Sequence, residues 1–222
     1  MRDEIKFLRE ENQKLKNEYN SKINALEKEI KEIKEKLLPL KEEKDKEEKD
    51  NIFPGSKILK NIEEKQLVLN WIKPNSKIKL TLLYQASKDG DRISTFYSKV
   101  SNKSPTIIII KANSGFKFGG YTTNVWTNSN NYKQDELAFI FSIDKKKKYQ
   151  LNKDKVSNAI YTYSSYIAFG GGHDFYINDQ CTTKFQYCNF PHTYINGEKS
   201  EPTGGQYNFL ISDYEVYHVE FI

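Results

Sequence analysis

Along the first 37 residues, seam positions recur at steps of three and four. They fall at Ile5, Leu8, Asn12, Leu15 and Tyr19, then at Ile23, Leu26, Ile30, Ile33 and Leu37. All are apolar or aromatic except Asn12, and the rhythm is the heptad of a coiled coil. The step from Tyr19 to Ile23 is four where three is due, a stutter that locally unwinds a supercoil without breaking its seam. Asn12 occupies an a position, where a buried polar residue costs stability but favours one register and often a parallel dimer. Glu10–Lys14, Glu18–Lys22, Glu27–Lys31 and Glu32–Lys36 support a helix as i,i+4 pairs on the outer face. The pattern predicts an α-helical coiled-coil arm over 1–38, ending ahead of Pro39. Its partner through 5–37 is a second copy or another helix. Residues 39–55 read as a charged linker, helical in part, in which 41–50 are all charged and Pro54-Gly55 marks the end.

The pattern changes at residue 56. Ile58, Ile62, Leu67 and Trp71 have helical spacing, broken by Pro74-Asn75. A second short helix fits 78–84, and a third fits 92–100 with Asp91 as its N-cap, presenting Ile93, Phe96 and Tyr97. Strands follow. Residues 106–111, Thr-Ile-Ile-Ile-Ile-Lys, form a β-branched run suited to a strand buried on both faces. Further strands are expected at 116–121, 138–143, 160–163, 168–172, 174–177 and 214–221. The last sets Val216, His218 and Glu220 on one side and Tyr217, Val219 and Phe221 on the other. Short strands divided by Gly/Asn-rich turns predict a β-sandwich with the early helices packed around it, an α+β domain over 56–222.

Charge and aromatic content divide at the same boundary. The first fifty residues hold 14 Lys/Arg against 15 Asp/Glu, so the chain's net charge of +5 resides on the rest, which carries +6. Phe7 and Tyr19 are the sole aromatics before residue 53. No apolar run reaches the length of a membrane span, and the N-terminus has no secretory-type apolar stretch, so a cytoplasmic protein is expected. Cys181 and Cys188 are too few for a disulfide scaffold and lack Cys-x-x-Cys spacing; ordinary thiols are expected.

Four groups of residues invite a chemical reading. Phe169-Gly170-Gly171-Gly172-His173-Asp174 could cradle a phosphate on backbone N–H groups, but no Lys-Ser/Thr follows as a P-loop requires; the expected role is a tight bend. His173 and Asp174 are adjacent, so on a strand they face opposite ways and do not form a dyad. His173, His192, His218 and the two cysteines lack zinc-site spacing, and no metal or cofactor is expected. Lys145, Lys146, Lys147 and Lys148 form a basic turn, either solvated or a patch for an acidic partner, an anionic membrane surface or nucleic acid.

Several pieces, in this order, resemble the TLDc family. They are 82–90 (Leu-Leu-Tyr-Gln-Ala-Ser-Lys-Asp-Gly), Lys103-Ser-Pro-Thr106 leading into the isoleucine run, Phe118-Gly119-Gly120-Tyr121, Trp126 and 138–142. The series continues with Phe169-Gly-Gly-Gly-His-Asp174, Gly204-Gly205-Gln-Tyr-Asn-Phe209 and Glu215-Val-Tyr217. The resemblance covers about 58–222. It implies a two-sheet antiparallel β-sandwich flanked by helices, an association with oxidative-stress resistance, and in several members binding to the vacuolar proton-pumping ATPase. It brings no agreed catalytic residue. The chain departs from the family at Tyr97 and Val100, where a His and a Cys are frequent. The expected function is thus a non-catalytic, protein-binding regulator that dimerises through its arm. The alternatives are a nucleic-acid-binding regulator using the basic surface, and a redox enzyme of peroxide defence.

Overall fold

A computed structural model describes residues 2–50 and 52–222; Met1 and Asn51, the latter within the expected linker, lie outside the described residues. The chain divides into two units, 1–49 and 50–222. The first holds a single helix, α1 (Arg2–Asp50), which runs through Pro39. The helix therefore does not stop at Leu38 as expected. An interior proline forfeits its own N–H bond to residue 35 and crowds the carbonyl there, a local cost that the strong helix formers of the Lys/Glu-rich stretch on either side offset. The seam side chains are all exposed, from 46% at Ile5 to 64% at Tyr19.

The second unit begins with an extended lead-in that buries Phe53, Ile58 and Leu59. Asn61 then caps α2 (Ile62–Ile72), its side chain accepting from the N–H of Glu64 at 2.8 Å. The segment expected to be a second short helix is instead a strand, β1 (Ile78–Gln85). Its alternation is broken by a register shift between Leu82 and Tyr84, and the extra residue gives the apolar positions a spacing that mimics a helix. There follow α3 (Ala86–Asp89), α4 (Ile93–Val100), β2 (Thr106–Ala112), β3 (Lys117–Thr122), β4 (Asn131–Lys133), β5 (Phe139–Ser142) and β6 (Lys147–Gln150). The remaining strands are β7 (Ile160–Tyr163), β8 (Tyr166–Phe169), β9 (Phe175–Asn178), β10 (Gln186–Tyr187), β11 (Asn208–Phe209) and β12 (Ile211–Phe221). Asp91 does not cap α4. Its carboxylate binds the N–H and hydroxyl of Thr182, and Asp179 accepts from the N–H of Ile93 instead.

Two antiparallel sheets form. The first has the order β1-β12-β2-β3-β5-β6 and the second β4-β7-β8-β9, with β10-β11 a separate ribbon. The four isoleucines of β2 serve two cores, as their continuous run predicts. Ile108 and Ile110 face inward with Phe118 and Ile140, against Ile167, Phe169 and Phe175 of the second sheet and Phe96 of α4. Ile107 and Ile109 face outward with Tyr217 and Val219, covered by Phe53, Ile58 and Val68. Trp126 fills the inner core, its indole N–H donating to Thr106 Oγ1 at 2.9 Å. Gly119 and Gly120 lie opposite Ile109 and Ile108 in β2. A Cβ on Gly120 would stand 2.5 Å from the Phe169 ring, and one on Gly119 would stand 1.9 Å from the Ile108 carbonyl oxygen. Gly120 thus allows Phe169 to seat directly on the first sheet, while Gly119 leaves room on the opposite face for Phe141. Among the described residues no helix is long and apolar enough to cross a membrane.

Candidate functional site

The glycine run after β8 is a bend. Gly170 has φ +87°, and its N–H donates to Ala159; that of Gly171 goes to Thr193 Oγ1 and that of His173 back to Gly170. With these donors committed, the loop offers no phosphate cradle. Asp174 is fully buried and its carboxylate accepts the N–H groups of His192, Thr193 and Tyr194 at 2.7–3.3 Å. Burial pushes its pKa up to about 6, against the downward pull of those donors. His173 turns the other way, its Nδ1 2.6 Å from the Tyr187 hydroxyl. Burial, then the neighbouring His192, hold it below the usual imidazole range. The two residues form no dyad. Asp174 holds the 192–194 strap, and His173 belongs to the opposite surface.

The remaining candidates are also structurally occupied. Cys181 and Cys188 are free and fully buried, and burial pushes their thiols to about 12 and about 11. Both stay protonated at neutral pH and lack the thiolate that peroxide chemistry needs. Glu215, also buried, accepts from the hydroxyl of Ser56, the N–H groups of Lys57 and Ile58, and Gln85 Nε2. It clasps the lead-in segment to β12. Glu220 pairs with Lys79. Among the described residues no group of three His, Cys, Asp or Glu could hold a metal.

The four lysines of the tetralysine segment are placed differently. Lys145 and Lys146 are exposed in the turn between β5 and β6. Lys147 instead pairs with Glu201 at 3.0 Å, and Lys148 donates to the Trp71 carbonyl at 2.8 Å while lying 4.1 Å over the Phe139 ring. Burial holds Lys148 below the usual lysine range. Two of the four lysines are therefore engaged within the domain rather than simply solvated.

A surface that the motifs did not indicate lies on the outer face of the second sheet. Strands β7, β8 and β9 point Ile160, Thr162, Ile167, Phe169, Phe175 and Ile177 inward, so their alternate residues face out. Those outward residues are largely tyrosines. Ring centroids step from Tyr132 to Tyr161 (4.6 Å), Tyr163 to Tyr166 (5.0 Å), Tyr166 to Tyr176 (5.8 Å), Tyr176 to Tyr187 (4.4 Å) and Tyr187 to Tyr207 (5.8 Å). His173 sits among them, 5.2 Å from Tyr166 and 5.9 Å from Tyr161. Four hydroxyls have partners: Tyr132 donates to Gly171, Tyr161 to Asn130, Tyr176 to Phe185, and Tyr187 meets His173. Burial, then the surrounding phenols, push Tyr166 up to about 12. The face is aromatic and uncharged, and ordered by its own contacts. The signal in the sequence was a tyrosine at four of the six outward positions of these period-two segments, 161, 163, 166 and 176.

The TLDc domain matches residues 52–220, three quarters of the chain and all of the sandwich. The chain belongs to the TLDc family. Its curated relatives include the MTOR-associated protein MEAK7 of Gallus gallus, 26% identical over 115 residues, which are 44% of this chain and 22% of that protein. The MTOR-associated protein MEAK7 of Xenopus laevis is 26% identical over 100 residues, 45% of this chain and 18% of that one. The matches therefore span only about a fifth of the relatives' length. In this TLDc domain the motif glycines have packing roles. Besides Gly119 and Gly120, Gly204 takes φ +72° where a Cβ would stand 2.6 Å from the Phe116 ring, and one on Gly172 would stand 2.3 Å from His192.

Proposed function

We propose that this TLDc domain is a non-catalytic docking module, and that the tyrosine face of the second sheet contacts its partner. The observation behind this reading is the face itself. Large, rigid aromatic side chains with polar tips stand partly exposed at neighbouring positions, the composition of interface hot spots. The groups with chemical potential are meanwhile buried, protonated or engaged in holding loops. The partner is a protein, by family resemblance a subunit of the vacuolar proton-pumping ATPase, met in the cytoplasm and linked to oxidative-stress resistance. The relatives named as mTOR-associated support a role in binding a larger assembly. The arm joins two copies and raises apparent affinity when both domains engage together. Nucleic acid is the weaker alternative, because two of the four lysines are committed to packing and the tyrosines' strongest neighbours are one another rather than the cations a phosphate track requires.

The test uses the full chain, its Tyr163→Ala/Tyr166→Ala variant and purified proton-pumping ATPase. Neither hydroxyl has a partner among the described residues, so the variant should keep its circular dichroism. Binding by the parent, weakened at least about tenfold in the variant, is the expected result. Equal binding by both would discard the tyrosine face, and no binding by the parent would discard the ATPase.

A further inference from the structure

We infer that α1 is one strand of a parallel, in-register two-stranded coiled coil whose other strand is a second copy of this chain. This rests on the dimerisation part of the reading above and adds to it the partner, direction and register. The first observation is the exposed seam, an apolar stripe along one side of α1 from Ile5 to Leu37. Its branching is informative. Ile5, Ile23 and Ile30 stand at a positions and Leu8, Leu15 and Leu26 at d positions, the combination that favours two strands; the order reverses only in the last turns, with Ile33 at d and Leu37 at a.

The charges flanking the seam select direction. In a parallel pair, the residue preceding each a position meets the residue five places later on the other chain. At Tyr19 the stutter sets Glu18 against Ile23; the charged pairs are Glu4 with Arg9, Glu11 with Lys16, Lys22 with Glu27, and Glu29 with Lys34. All four are of opposite sign, and two-fold symmetry makes each twice. The alternation of sign matters, because the Lys22–Glu27 pair after the stutter reverses the order of the pairs before it. The next pair, Lys36 with Lys41, is of like charge and spans Pro39. The seam is thereby assigned to 4–37.

The antiparallel arrangement that centres on Tyr19 also brings apolar positions together but matches polar ones poorly. It sets Asn12 against Leu26, Glu11 against Glu29, and Arg2 against Lys34, beside three attractive pairs, Glu4 with Lys36, Arg9 with Glu27 and Glu18 with Lys22. A buried amide then lacks a partner and two like-charge contacts form. In the parallel pair Asn12 meets Asn12 of the second copy, and the two amides can satisfy each other. A different helix as partner would owe nothing to this self-complementarity.

Light scattering on the full chain during size-exclusion chromatography reads the outcome. The parent is expected to be a dimer at tens of micromolar. Glu11→Lys/Glu29→Lys places lysines against Lys16 and Lys34 and should weaken the dimer at least about tenfold. Lys16→Glu/Lys34→Glu should do the same, and mixing the two variants should restore a dimer containing one of each. A parent that is monomeric at those concentrations would overturn dimerisation itself. A parent dimer indifferent to both reversals, with no preferential pairing on mixing, would keep dimerisation and overturn the parallel register.

Discussion

Valine at position 120 is expected to destabilise the sandwich by ~3 kcal/mol, the upper end of what overpacking a core costs. Gly120 lies in β3, flanked by Ile108 of β2 and Ile140 of β5, deep in the first sheet. Its missing side chain is the space into which Phe169 of the second sheet fits, and a single added carbon would come within 2.5 Å of that ring. Phe169 cannot swing away easily. It packs at 5.6 Å against Trp126 and at 5.0 Å against Phe175, both fully buried. Interiors are packed nearly as densely as organic crystals, so relief must come from separating the sheets. Urea unfolding of the full chain, followed by far-ultraviolet circular dichroism, measures the loss. A shift below about 1 kcal/mol would show that the ring has room to move. If the contact is the cause, Gly120→Ala combined with Phe169→Leu should be more stable than the sum of the single changes predicts.

Removing the Asp174 carboxylate should cost a comparable amount for a different reason. Asp174→Ala leaves the N–H groups of His192, Thr193 and Tyr194 facing an apolar side chain, and each buried donor left unsatisfied costs about 1–3 kcal/mol. The total expected loss is ~4 kcal/mol, with local release of the 192–194 strap. The isosteric Asp174→Asn exposes a pH dependence. The folded carboxyl titrates at about 6 against an ordinary 3.8, because burial penalises its charged form. Such a group favours the folded state when protonated. Its contribution is complete below the unfolded value and is lost as pH rises through 6. The stability of the parent minus that of Asp174→Asn should therefore fall by up to ~3 kcal/mol between pH 4 and pH 7, and chemical denaturation across that range would read it. Other carboxylates cancel in the difference. A flat difference would mean that the three donors compensate fully for burial.

Much of the fold was legible because single-residue patterns carry it. The heptad defined α1, the isoleucine run defined β2, and the ordered glycine motifs indicated the family. Failures came where the third dimension decides. The β-bulge at Leu83 converted a strand's alternation into a helix-like spacing. Lys147 and Lys148 read as a solvated turn, yet one packs over Tyr149 and the other over Phe139, because a lysine's stem covers apolar surface while its amine finds an acceptor. Asp174 invited a chemical reading, and Glu215 stood only as part of a family motif. Their roles depend on backbone donors 18 to 20 and 157 to 158 residues away in the chain, which no local pattern contains. The tyrosine face was written in the sequence as alternation, but only strand pairing shows that the outward rings adjoin.

The order of the first sheet has a consequence for how the chain is made. Of its six strands β12 is synthesised last, yet it lies between β1 and β2 and supplies Glu215 to the lead-in segment. Until β12 emerges, β1 has no neighbour in this sheet and β2, once made, presents an unpaired edge of four consecutive isoleucines. The sheet closes only once β12 has emerged, a long-range step that is slow to search for and prone to aggregation meanwhile. Newly made chains should consequently depend on chaperones until β12 appears, after most of the domain's residues have already emerged.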